Sequence, residues 1–313
     1  MSIPKSLILI LIFFCTHSAY GQTANEYFQK ARELATKEDY KGALKKVDKA
    51  MELGATDTVV FYLKDKILFK LKKYQELYEF YNLAIDRFPD YYRFYYNRGN
   101  LLLEFREYDL SIRDFTTTIK LTNQDTILAS AYSNRAAAKM WQRNFDDAYK
   151  DLLLAYQLDS TNIFVLTNLG AVADEIGRGD ETLTYLKKVI DINPSYVAAY
   201  VNIGFKYQEL GDHRQAIDYF TKALELDPNE PLGYSNRSFN KLKIGDLKGA
   251  MKDIEKSIKL GPENSYAYRI RALIHVERGK MGQACDDLQT ALDKGFTTNY
   301  GDEVLELQKK YCQ

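Results

Sequence analysis

The sequence predicts an all-α fold, a solenoid of paired helices, from three observations. The word YSNR stands at Tyr132–Arg135 and again at Tyr234–Arg237, 102 residues on, which is three periods of 34. Pro89, Pro194, Pro228 and Pro262 all fall at position 32 of windows laid out on that period. Within a window, apolar residues recur at the i, i+3, i+4, i+7 spacing of an amphipathic helix, first in one stretch and then in a second.

The N-terminal stretch MSIPKSLILILIFFCTHSAYGQ reads as an export leader. Lys5 precedes an apolar run from Leu7 to Cys15, and Ala19-Tyr20-Gly21 offers small residues to a signal peptidase, so residues 1–21 are expected to be removed. Nine apolar residues are too few for a membrane span, which needs roughly 20. The processed chain, 22–313, is therefore expected to be soluble, without an integral membrane segment, and periplasmic or extracellular. A lipid anchor through Cys15 is disfavoured because Phe14 precedes it where a small residue is usual.

Windows starting at Ala24, Thr58, Tyr92, Ala129, Ile163, Val197, Pro231 and Ser265 give repeats 24–57, 58–91, 92–128, 129–162, 163–196, 197–230, 231–264 and 265–298, with three extra residues before Ala129. The clearest is VAAYVNIGFKYQELGDHRQAIDYFTKALELDPNE. Tyr200, Ile203, Gly204 and Tyr207 make the first stripe, Gly211-Asp212 breaks it, and Ala216, Phe220, Ala223 and Leu224 make the second, which Pro228 stops. Small residues at positions 8 and 20 allow the two helices to cross closely: Ala31 with Ala43, Gly99 with Ser111, Ala136 with Ala148, Ala272 with Ala284. The second repeat departs, with Asp65 and Leu77 there, so its helices are expected to pack further apart. A pair this short must stack on its neighbours, which predicts one solenoid without domain boundaries. The tail 301–312, with Val304, Leu305 and Tyr311 on one side, predicts a helix covering the last pair.

Once the leader is gone, Cys285 and Cys312 remain, and in an exported chain they are expected to be joined, stabilising by roughly 3 to 4 kcal/mol. Chemistry is poorly provided for. His213 and His275 have no acidic or cysteine neighbour at metal-ligand spacing, and neither a phosphate-cradling glycine loop nor a nucleophile elbow occurs. No catalytic residue, metal or cofactor is expected. The 43 basic against 43 acidic residues give no electrostatic reason for a nucleic-acid partner. The single glycosylation sequon, at Asn236, falls inside a predicted helix and is discounted.

On these residues the chain resembles the tetratricopeptide repeat (TPR) family. Tyr200 stands at the family's aromatic site, Gly204 and Ala216 at its small sites, Phe220 and Ala223 in its second helix and Pro228 at its stop. The resemblance implies a right-handed α-solenoid of about eight helix pairs with a C-terminal capping helix, and a concave surface built from the first helix of each pair. Carried onto this chain, position 6 of that helix reads Asn97, Asn134, Asn168, Asn202 and Asn236, beside Asn100, Trp141 and Phe205. Side-chain amides both donate and accept, so such a row suits the backbone of an extended peptide, although asparagine there also serves helix packing. Trp141, the only tryptophan, is the best candidate for an exposed anchor.

The family's chaperone-binding class needs cations around two of those asparagines. Here Tyr96 holds the lysine place, and Phe164 and Asn168 stand where cations are required, so that class is excluded and YSNR is expected to mean helix packing plus one face amide. The resulting expectation is a non-enzymatic scaffold in a bacterial cell envelope that binds a protein or peptide in its groove. The alternative is a structural assembly subunit that binds partners through its convex or stacking surfaces.

Overall fold

The computed structural model describes residues 23–312; the expected leader 1–21, with Cys15, lies outside the described residues. Every regular element among them is a helix. The chain divides into two compact units, Met1–Leu158 and Asp159–Gln313.

The first unit stacks α1 (23–36) with α2 (Tyr40–Glu52), α3 (Thr58–Lys70) with α4 (Tyr74–Arg87), α5 (Tyr92–Glu104) with α6 (Tyr108–Leu121), and α7 (Asp125–Trp141) with α8 (Phe145–Leu158). The second stacks α9 (Ile163–Glu175) with α10 (Gly179–Ile192), α11 (Val197–Glu209) with α12 (His213–Leu226), α13 (Pro231–Lys243) with α14 (Leu247–Leu260), and α15 (Ser265–Glu277) with α16 (Met281–Asp293). Two short helices, α17 (Phe296–Tyr300) and α18 (Glu303–Tyr311), close it. From α3 onward first helices begin at the first window position, except that α7 starts at Asp125 and runs to 17 residues against 13 for α5. The three extra residues are thus taken up as one additional turn of helix.

Small residues do let the helices of a pair cross closely, and position 24 fills the space they leave. Gly99 faces Phe115 and Gly204 faces Phe220, where an added Cβ would come within 3.1 and 2.9 Å of the ring. Hydroxyls bridge the same crossings: Ser111 Oγ donates to the carbonyl of Gly99 at 2.8 Å and Thr182 Oγ1 to that of Gly170 at 2.9 Å. In the second repeat Asp65 replaces the small residue and Tyr81 stands at position 24, its hydroxyl donating to the Asp65 carboxylate at 2.6 Å. That larger pair holds α3 and α4 apart, and they pack less closely than the helices of the third to eighth pairs.

The word YSNR has a fuller meaning than packing. Arg135 and Arg237 each give two parallel bonds to a buried aspartate 16 residues on, Asp151 and Asp253, at 2.7–2.8 Å. Arg98 with Asp114 and Arg271 with Asp287 repeat the bidentate clasp between first and second helix. The tyrosine three residues earlier lies under each guanidinium, 5.4 Å from its centre at Tyr132 and 5.6 Å at Tyr234. Tyr234 also donates its hydroxyl to the carbonyl of Pro228 at 3.2 Å, as Tyr200 does to Pro194 at 2.9 Å, latching each first helix to the preceding proline turn.

All eight turns inside the pairs pass through one left-handed residue at position 15. In the second unit these are Gly177, Gly211, Gly245 and Gly279; in the first they are Glu38, Lys72, Arg106 and Arg143, with φ between 56° and 63°. The next residue then caps the second helix: Asp39, Asp212 and Asp246 accept from the backbone N–H three residues on, at 2.9–3.1 Å.

The tail differs from expectation in one residue. Val304 is fully buried against Ala272, Ala284, Leu288, Ala291 and Phe296, but Leu307 rather than Leu305 joins it, and Leu305 is exposed. Val304 and Leu307 stand at the i, i+3 spacing of a helix, and α17 supplies Phe296 to the same core. The sulfur atoms of Cys285 and Cys312 lie at bonding distance, with Cα atoms 5.7 Å apart.

Candidate functional site

The asparagines at position 6 share a helix face but meet different neighbours. In the first unit Asn97 donates to the Asp65 carboxylate at 2.7 Å, and Asn134 donates to the side chain of Asn100 at 2.8 Å. These two amides tie one first helix to the one before it. In the second unit Asn168 and Asn202 make no side-chain hydrogen bond among the described residues, and Asn202 is exposed. Asn236 is only 6% exposed, which withdraws it from the surface and also bears on its sequon.

Below Asn236, a position the sequence did not single out carries a polar network. Asn240 is fully buried; its amide donates to Gln208 at 2.7 Å and to the backbone carbonyl of Asn236 at 2.8 Å. Its oxygen is left to face Nδ1 of His213 at 2.9 Å, so that nitrogen carries the proton. The structure therefore gives His213 a linking role between α12 and α13.

A cavity of about 290 Å³ in the second unit is lined by Asn202, Phe205, Asp174, Glu175, Lys206 and Glu209, among others. Buried Lys206 reaches Asp174 and, at 3.0 Å, Glu209. Burial opposes its charge, but the two carboxylates outweigh that and lift its pKa above the ordinary lysine value. Three carboxylates against one ammonium leave this stretch acidic. Phe205 stands edge-on to Phe220 at 5.4 Å and keeps part of its ring exposed.

A second cavity, of about 380 Å³, opens in the first unit where Asp65 and Tyr81 separate α3 from α4. Tyr62, Phe69, Tyr92, Tyr96, Asn97 and Asn100 contribute to its lining, with Lys66, Arg93 and Glu104. Burial lifts the Asp65 carboxyl above its ordinary pKa despite the bonds from Tyr81 and Asn97, and raises the Tyr81 phenol as well. Beyond this cavity Trp141 is 68% exposed, its ring parallel to that of Tyr108 with centroids 6.1 Å apart. Among the described residues no group of three or more histidine, cysteine or acidic side chains could hold a metal, and no helix is long and apolar enough to cross a membrane.

Comparison with known proteins finds similarity in one repeat and in the fold. The tetratricopeptide repeat family matches residues 197–230. The small glutamine-rich tetratricopeptide repeat-containing protein 2 of Saccharomyces cerevisiae is 33% identical over 95 residues, 30% of this chain and 27% of that relative's length. The C-terminal part of a TPR repeat-containing protein from Cytophaga hutchinsonii superposes with a TM-score of 0.62 at 20% identity, covering 77% of this chain and 98% of that one. YrrB, described as a TPR protein with an unusual peptide-binding site, gives a TM-score of 0.51 at 19% identity over 63% of this chain and 97% of its own.

Proposed function

We propose, from the premise that this chain is a tetratricopeptide repeat protein, that it is a non-enzymatic scaffold holding an extended peptide or a partner's loop against its first helices. The observation that carries this reading is the cavity beside α11: the exposed amide of Asn202 has no partner among the described residues, Phe205 offers an aromatic surface next to it, and Asp174, Glu175 and Glu209 surround both. An amide left free can bond a peptide backbone in either sense. The acidic surplus favours a segment of basic character. YrrB lends support as a protein of the same fold described with a peptide-binding site.

Asn168 and Asn202 are assigned to ligand contact, whereas Asn97, Asn100 and Asn134 serve to join helices. Export to a cell envelope rests on the leader at residues 1–21, and the placement of Cys285 against Cys312 supports a disulfide formed in an oxidising compartment. Selection of displayed random peptides on the intact protein tests the groove. The selected peptides should lose binding by about tenfold or more when Asn168 and Asn202 are both changed to Ala, with the far-UV spectrum preserved. Undiminished binding would remove the groove and favour assembly through other surfaces.

A further inference from the structure

We propose that the cavity wedged open in the second repeat is a subsite for a cationic side chain, an arginine or lysine of a peptide held by the first unit, seated among aromatic rings on the carboxylate of Asp65. This rests on the reading of the first helices as peptide-binding elements and names what those of the first unit select.

The argument begins with the buried aspartates. Asp65, Asp114, Asp151, Asp253 and Asp287 are all at most 6% exposed. Four of them are held by an arginine of their own repeat: Arg98, Arg135, Arg237 and Arg271. Asp65 has only the neutral donors Tyr81 and Asn97, and no ion pair reaches it among the described residues. A buried carboxylate without a counter-charge is costly, and its fold-mates show how this chain otherwise meets that cost. Each carboxylate oxygen of Asp65 receives one hydrogen bond, so each keeps acceptor capacity. Asp65 also borders open space, because the same residue that lacks a cation holds the helices apart.

The surroundings suit the missing charge. Tyr62, Phe69 and Tyr96 line the cavity, and aromatic rings attract ammonium and guanidinium groups. The nearby cations are not placed to serve. Arg93 lies over the Tyr62 ring, 5.7 Å from its centroid, with Nε donating to the Tyr92 hydroxyl, and Lys66 makes no ion pair with Asp65. At about 380 Å³ the space falls within the range of about 300–1,000 Å³ usual for ligand pockets.

Isothermal titration of the full chain with acetyl-arginine amide, acetyl-lysine amide and neutral acetyl-citrulline amide tests this. Saturable binding of a cationic amide, at least about tenfold tighter than citrulline amide, is the expected result, weakened about tenfold in Asp65→Asn. If Asp65→Asn does not fold, Tyr62→Ala, at a partly exposed ring outside the core, should weaken binding about threefold with an unchanged far-UV spectrum. Equal binding of arginine and citrulline amides, or binding untouched by either variant, overturns the proposal. Failure of the cationic amides to bind, with selected peptides still bound through Asn202, would overturn this subsite alone and leave the groove of the second unit standing. Loss of the groove with retained amide binding would do the reverse.

Discussion

Replacing Arg98 by methionine removes the cation from a buried ion pair and leaves Asp114, 4% exposed, with no other cationic partner among the described residues. Arg98 gives two bonds to that carboxylate at 2.7 and 2.8 Å and a third to Asn82 at 2.6 Å. Removing one member of a buried pair costs about 3–5 kcal/mol, because the other charge stays behind unpaired. The same change at Arg135 should cost less, about 1.5–3 kcal/mol, since Lys139 still holds Asp151 at 2.8 Å. In urea, with a slope of about 2 kcal/mol per molar, Arg98→Met should lower the midpoint by roughly 1.5–2.5 M.

The pH dependence has a definite sign. Burial already holds Asp114 above the ordinary carboxylate value, and loss of the guanidinium moves it further up. Between the unfolded value and that raised one, the folded chain binds more protons than the unfolded, so stability rises as pH falls. The deficit of Arg98→Met at pH 7 should therefore shrink near pH 5. Adding Asp114→Leu should restore most of the loss, since an apolar pair replaces a buried ionic one at little cost. Urea titrations followed by far-UV circular dichroism, with amide exchange on α6 to locate the change, measure all three. Equal losses for Arg98→Met and Arg135→Met, or no recovery in the double variant, would refute the account of the clasp.

Arg106→Gly should stabilise the first unit by about 0.5–1 kcal/mol in thermal or urea melts, because Arg106 holds a φ of 63° that glycine adopts without strain; a loss would mean that its side chain matters more than its backbone. Gly204→Ala should destabilise by about 1–2 kcal/mol, the added methyl standing 2.9 Å from buried Phe220 and outweighing the helical preference of alanine. Gly170→Ala, whose nearest neighbour would be 3.3 Å away, should cost less. Thiol titration of the processed, unfolded but unreduced chain should find no free thiol at Cys285 or Cys312, and reduction should speed amide exchange in α18.

The repeat frame was legible because it is written in residues whose role is local. Prolines stop second helices, and glycine or alanine at position 8 permits a crossing whoever the neighbours are. Asp65 at that position was enough to anticipate the loosened second pair. The arginine–aspartate clasp left a trace in YSNR, yet its partner lies 16 residues away on the other helix, so only a spacing counted across the pair exposes it. The left-handed turns were half visible: glycine marks them in the second unit, while Glu38, Lys72, Arg106 and Arg143 give no local sign in the first. Least legible was the fate of the asparagines. Their common position sets the face, but whether an amide is spent or free depends on the preceding helix, as Asn97 on Asp65 and the unpaired Asn202 show. Leu305 was misplaced because a nine-residue helix admits two apolar stripes, and only α17 and Phe296 decide between them.

The added turn that opens α7 shows where this molecule accepts foreign sequence. Length entering between Leu121 and Asp125 is spooled onto the start of a first helix, while the next turn, at Arg143, keeps the same backbone as its counterparts. A tag or epitope of one helical turn placed at that junction should ride along on α7, leaving the registration of every later pair untouched.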